Sequence, residues 1–125
     1  MTSALKKELA RDTDGLLTYE YLANHIDDCD RDLPGLVDNM IAVDSTGQFI
    51  VSAARYLAAI DLERYRRHID RLVATAIERD HERRSIADLL PAIWGADYAA
   101  RAAELSATDN NFRRIYRRVT PAASI

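Results

Sequence analysis

The apolar residues of this chain recur at three and four positions and almost nowhere alternate. That is the period of a helix face, not of a half-buried strand. The 4 Gly and 3 Pro are scarce and, Pro91 apart, stand between the periodic segments, where they punctuate rather than interrupt them. The pattern predicts a single all-α domain over residues 1–125, of about six to eight helices, arranged as stacked antiparallel α-hairpins or as an irregular bundle.

Helix boundaries follow from caps and breakers. Ser3 is positioned to cap a first helix, ALKKELAR, ended by Asp12 to Asp14. Gly15 opens Leu16 to Ile26, with Leu16, Tyr19, Leu22, Ala23 and Ile26 on one face. After the acidic stretch Asp27 to Asp32, Pro34 falls in the first turn of a helix over Leu33 to Val43, where its missing N–H costs nothing. A strongly apolar segment with many small residues, from Gly47 to Ile60, reads as a helix buried on more than one side. Asp61 is expected to start the next helix, which carries Leu62, Tyr65, Ile69, Leu72, Val73, Ala76 and Ile77 inward to Asp80. His81 to Trp94 follows, with Pro91 forcing a kink or an early end and Gly95 terminating it. Asp97 caps YAARAAEL, Thr108 or Asp109 caps NNFRRIYRRV, and residues 120–125 read as a flexible tail.

Displacing the chain by 36 positions lays Leu33–Asp61 on Ile69–Asp97, with Leu36, Val37, Ile41, Asp44, Ile50 and Asp61 meeting identical residues. The matches fall on inner faces and at helix junctions, the signature of a helix, an Asp-built turn and a second helix. Such a hairpin cannot cover its own apolar faces, so neighbours must stack. Leu33, Pro34, Leu36, Asp44, Val51, Ala54, Leu57 and Ile60 stand where one unit of the HEAT/armadillo class has its Leu-Pro opening, turn Asp and second-helix apolar residues. The segment resembles such a unit; the second copy lacks the Leu-Pro opening and puts Pro91 opposite Arg55. The resemblance spans residues 33–97 and implies a stacked α–α architecture with, by analogy, a binding role.

Charge separates the two halves. The net −3 resolves into −6 over residues 1–61 and +3 over residues 62–125, and the cations are 15 Arg against 2 Lys. Two electrostatically different surfaces suit an oriented protein partner or self-association. The lone Cys29 cannot make an internal disulfide. No apolar run reaches the roughly 18 residues of a membrane span, and the N-terminal residues lack a signal-peptide core. These features predict a cytoplasmic protein with no membrane partner.

Chemistry-bearing motifs are few. Asp28, Asp30 and Asp32 alternate as in a calcium loop, but Leu33 and Asn39 replace its required Gly and Glu. His25 and Cys29 are spaced as two zinc ligands on one helical turn, with Asp28 or Asp32 as a third, though a lone His and Cys near a helix end are usually structural; His68 and His81 suggest no pair. No nucleophile motif and no Gly-rich phosphate loop is present. The sequence therefore points to no cofactor and no metal, and to a non-enzymatic module that binds a protein through an Arg- and Tyr-containing face. A nucleic-acid binder is the alternative, and an enzyme built on a carboxylate/His site the second one. The candidate contact residues are Arg64, Arg67 and Arg71, and the stripe Arg113, Arg114, Tyr116, Arg117 and Arg118. Arg79, Arg83 and Arg84 form a third basic group. Glu63, Asp70, Glu78 and Glu82 interleave with these arginines at the spacing of helix salt bridges.

Overall fold

Residues 1–80 and 85–120 are described by the computed structural model, and among them the only regular elements are helices. The eight α-helices are α1 (Ser3–Leu9), α2 (Leu16–Asn24), α3 (Leu33–Val43), α4 (Gln48–Asp61), α5 (Arg66–Arg79), α6 (Leu89–Trp94), α7 (Ala102–Thr108) and α8 (Asn110–Val119). The expected start of a helix at His81, the basic residues Arg83 and Arg84, Glu82, and the tail beyond Thr120 lie outside the described residues.

Most expected boundaries hold, and the departures have identifiable causes. Thr2, not Ser3, caps α1, its hydroxyl accepting from the Leu5 N–H at 3.1 Å. Leu16 does not face inward: it is 41% exposed, because the polar Thr18 takes the buried position with Leu22. Asp61 ends α4 instead of opening α5. Its carboxylate accepts from the Arg64 N–H at 3.1 Å and its carbonyl from the Tyr65 N–H, which builds a separate turn over residues 62–65. Pro91 neither kinks nor ends a helix. A 3-10 turn at Ile86–Asp88 delays α6 to Leu89, which puts Pro91 in the first turn, where no N–H is required. Gly95, at φ 95°, terminates α6 as expected.

Three buried aspartates hold the inter-helix turns by one device. Asp12 receives the N–H groups of Gly15 and Thr18, both at 2.8 Å. Asp44 receives those of Gly47 (2.9 Å), Phe49 (2.8 Å) and Ile50 (2.8 Å). Asp80 receives those of Ser85 (2.7 Å) and Ile86 (2.8 Å). Each carboxylate thereby satisfies orphan donors at the start of the following helical segment from the end of the preceding one. Burial alone would raise the Asp12 pKa, but the bonds from Thr18, Gly15 and Asp14 outweigh it and hold the carboxyl below its ordinary value. Gly15 and Gly47 sit at φ 104° and 85°, a left-handed geometry that the tight turn demands and other residues adopt only with strain.

The helices pack in two rows. One contains α2, α4 and α6 in succession; the other contains α3, α5 and α8, with α4 against α5 as the main contact between rows. The second row is parallel: Asn111 on α8 reaches the Asp70 carbonyl near the middle of α5, and Arg118 reaches the Ile77 carbonyl near its end. A side chain from a later helix satisfies the carbonyl three residues before each turn aspartate. Asn39 donates to Leu9 O at 3.2 Å, Arg79 to Ile41 O, and Arg118 to Ile77 O. Asn39 also donates to the Thr18 hydroxyl at 2.8 Å, which in turn donates to Asp12. Cations at these carbonyls also oppose the negative ends of parallel helix dipoles.

The core runs through both rows, from Leu9 and Leu22 through Met40, Ile50, Leu57, Ile69 and Ile77 to Ile86, Leu90, Phe112 and Ile115. Ile50 and Ile86, equivalent under the 36-residue displacement, are both fully buried. Their settings differ, since Ile50 lies in the 14-residue α4 whereas Ile86 opens the 3-10 turn that precedes the 6-residue α6.

Candidate interaction surfaces

The arginines singled out from the sequence divide into groups with different partners. Arg64 projects from the turn before α5 onto the Asp30 carboxylate, with its Nε 3.1 Å from Oδ2, and lies 5.1 Å from the centre of the Tyr65 ring. Arg71 on α5 pairs with Asp38 on α3 at 2.6 Å. Both ion pairs join segments more than 30 residues apart in the sequence. Among the described residues, the expected local pairing that forms is Arg66 with Glu63, at 2.8 Å. Arg67 is exposed beside them and makes no ion pair. His68, partly buried and flanked by Arg67 and Arg71, is pushed below the usual imidazole pKa first by burial and then by those charges.

The stripe on α8 behaves differently. Arg113 folds back to the Ser106 carbonyl at 2.9 Å and the Asn110 amide oxygen at 2.6 Å, while Arg118 reaches the Ile77 carbonyl. Arg114 and Arg117 contact no described polar group. None of the four meets a carboxylate of the described residues at ion-pair distance. Beneath them, Phe112 and Ile115 are buried, and Tyr116 lies half-buried, stacked on Phe112 at 5.3 Å and edge-on to Tyr98 at 6.4 Å. Trp94 is also half-buried, packed against the Phe112 ring at 5.3 Å. Its indole N–H donates to Asp109, the residue that caps α8 through the Phe112 N–H, at 2.8 Å.

A second surface went unnoticed in the sequence. The row α2, α4, α6 carries an open groove of about 410 Å³ lined by Tyr19, Ser52, Arg55, Tyr56, Ala59 and Ala92. Tyr19 and Tyr56 meet edge to face at 6.5 Å, and the Tyr56 hydroxyl donates to the Ala23 carbonyl at 3.3 Å. Arg55 stands at the rim in a loose, exposed pair with Asp88 at 3.8 Å. The exposed large apolar side chains, Leu16 and Ile60 (48%), belong to the same two helices, α2 and α4. The available sequence signal was the near-repeat of Tyr21-Leu22-Ala23 at Tyr56-Leu57-Ala58, but it does not show that α2 and α4 lie side by side.

An acidic cleft of about 500 Å³ between the start of the chain and the α2–α3 connection is lined by Asp27, Asp28, Asp30, Asp32, Arg31, Arg64 and Thr2. Cys29 is buried beside it, and burial followed by the neighbouring aspartates raises its thiol pKa, the reverse of what a thiolate ligand needs. The His25 ring stacks on Tyr21 at 4.0 Å, and its Nδ1 lies 2.9 Å from the Tyr21 carbonyl. Among the described residues, no group of three or more His, Cys, Asp or Glu is arranged to hold a metal ion, and no helix is long and apolar enough to cross a membrane. No known protein family, no characterised protein and no solved structure was found to match the chain.

Proposed function

We propose that this chain is a small non-enzymatic binding module of stacked, HEAT-like α-hairpins that takes a segment of a protein partner in the α2–α4–α6 groove. The observation that carries the reading is the groove's lining: the small residues Ser52, Ala59 and Ala92 together with Tyr19, Tyr56 and Arg55. Small residues let a partner backbone or side chain approach closely, and Tyr and Arg are the side chains most enriched at binding hot spots. The turn geometry shared by Asp12, Asp44 and Asp80, and the two helix rows, support the stacked-hairpin part of the reading.

The test is a filled groove. Ala59 and Ala92 are exposed, so Ala59→Arg and Ala92→Arg place bulk in the groove without disturbing the core. A peptide library selected on the wild-type protein is expected to yield binders that lose at least ten-fold in affinity on either variant. Binders that tolerate both variants, or a selection that enriches none, would overturn the reading.

A further inference from the structure

We propose a second binding surface: the outer face of α8, through Arg113, Arg114 and Arg117, binds the phosphate backbone of a single-stranded nucleic acid. The inference rests on which arginines are already neutralised. Elsewhere Arg55, Arg64, Arg66, Arg71 and Arg101 each lie within 4 Å of a carboxylate, while Arg11, Arg31, Arg67 and Arg79, which meet none among the described residues, are scattered singly over the chain. On α8, four arginines fall within ten residues and none has such a partner. The contacts of Arg113 and Arg118 are to carbonyl and amide oxygens, which orient a guanidinium without cancelling its charge.

The surrounding carboxylates do not restore neutrality. Asp109, at the start of α8, is occupied by the Phe112 N–H and the Trp94 indole. Asp70 on α5 lies at the level of Asn111, near the beginning of α8, where its backbone carbonyl takes the Asn111 amide. Glu78, level with the end of α8 in the same register, pairs with none of the four. The acidic residues Asp27, Asp28, Asp30 and Asp32 belong instead to the α2–α3 connection. A molecule of net charge −3 thus keeps a local cationic face and a charge asymmetry that orients an approaching polyanion.

Geometry favours a single strand over a duplex. The helix is about 15 Å long, and residues three apart on it stand about 5–6 Å from one another, so Arg114 and Arg117 address neighbouring phosphates of one strand. Tyr116, stacked on Phe112 and edge-on to Tyr98, lies on the inner flank of α8 and about 100° or more around the helix from either arginine, so the contact is to the backbone and not to stacked bases. No base-edge reader accompanies these residues, so binding is expected to be tolerant of sequence.

Fluorescence anisotropy of labelled 20-nucleotide oligo-dT and oligo-U against the intact chain tests this. With three phosphate contacts the affinity is expected to fall about twenty-fold between 50 and 200 mM KCl, and with one contact only about three-fold. The double variant Arg114→Ala/Arg117→Ala, whose side chains make no polar contact with a described group, should show weaker binding at 50 mM and the shallower salt dependence. Arg55→Ala/Arg71→Ala removes the same charge from paired positions and should bind like wild type. Absence of oligonucleotide binding at 50 mM KCl, or equal loss in both double variants, would overturn the proposal. Binding to vesicles containing anionic phosphatidylserine, with none to either oligonucleotide, would also overturn it and assign the face to a membrane surface. The Ala59→Arg variant should bind oligonucleotide unchanged, which separates this surface from the groove.

Discussion

Removing the Asp44 carboxylate should be among the costliest polar substitutions in the chain. Asp44 is 1% exposed, and its two oxygens accept from the N–H groups of Gly47, Phe49 and Ile50, with the Thr46 hydroxyl adding a bond at 3.2 Å. In Asp44→Ala the Gly47 and Ile50 donors stay buried without an acceptor, each worth about 1–3 kcal/mol, while the α4 cap itself is worth about 1 kcal/mol. Relief of carboxylate desolvation and rehydration of Thr46 offset part of this, leaving a net loss of about 3–4 kcal/mol. A chain of 125 residues unfolds with an entropy near 260 cal/mol/K, so the midpoint should drop by about 11–15 °C. Urea and thermal unfolding followed by far-UV circular dichroism measure both quantities, with the urea slope unchanged if only the folded state is affected. Asp27→Ala, at an exposed position, is the control and should change stability by less than about 0.5 kcal/mol. If Asp44→Ala is no more destabilising than Asp27→Ala, the turn is held by packing and the role assigned to the buried carboxylates is wrong.

Two further outcomes follow from the same structure. Arg118→Ala should cost about 1–2 kcal/mol in urea unfolding because it strips the Ile77 carbonyl and the C-terminal end of α5 of their cation, whereas Arg117→Ala, one residue away, should be near neutral; equal effects would remove the distinction between them. Asp70 has its pKa raised, first by burial and then by Asp109, against a lowering by Arg66. The folded state therefore binds this proton more tightly than the unfolded one, and ionisation of Asp70 costs stability as pH rises past the ordinary carboxylate value of 3.8. Asp70→Asn should accordingly raise the melting temperature slightly at pH 7 and give no gain at pH 3, and a gain that is the same at both would refute the sign.

Sequence was most informative where one local rule acted alone. The α3 boundaries, Leu33 to Val43, follow from Pro34 in the first turn and Asp44 beyond the last. Gly95 and Asp109 end and begin helices for equally local reasons. The break after α4 was read at Asp61, but the turn over residues 62–65 was hidden because Leu62 and Tyr65 continue the apolar spacing straight through it. Thr18 was missed because a buried hydroxyl bonded to Asp12 leaves no apolar mark. That device had a readable signal all the same: Asp12 precedes Gly15 and Thr18 by the spacings at which Asp44 precedes Gly47 and Ile50. The partners of the arginines were not readable, since Asp30 lies 34 residues from Arg64 and the Ile77 carbonyl 41 from Arg118. A stripe of cations looks the same in sequence whether its members support the neighbouring unit or face solvent.

The preference for Arg over Lys can be argued from that division of labour. Arg79 spans two acceptors, the Ile41 carbonyl and the Asp44 carbonyl, with one guanidinium nitrogen at the end of α3. Arg113 likewise bonds two oxygens from two of its nitrogens, on α7 and on α8 itself. A planar fork of fixed donors suits such sites, while an ammonium on a flexible stem would lose more side-chain freedom for each bond it formed. Arg64 combines a carboxylate and an aromatic face, a pairing that also favours the guanidinium. Packing demands of this kind account for Arg64, Arg79, Arg113 and Arg118 without reference to any ligand. They do not account for Arg114 and Arg117, which contact no described polar group, and these two cations, with Arg113 whose oxygen partners leave its charge uncancelled, give the proposed second surface its physical basis.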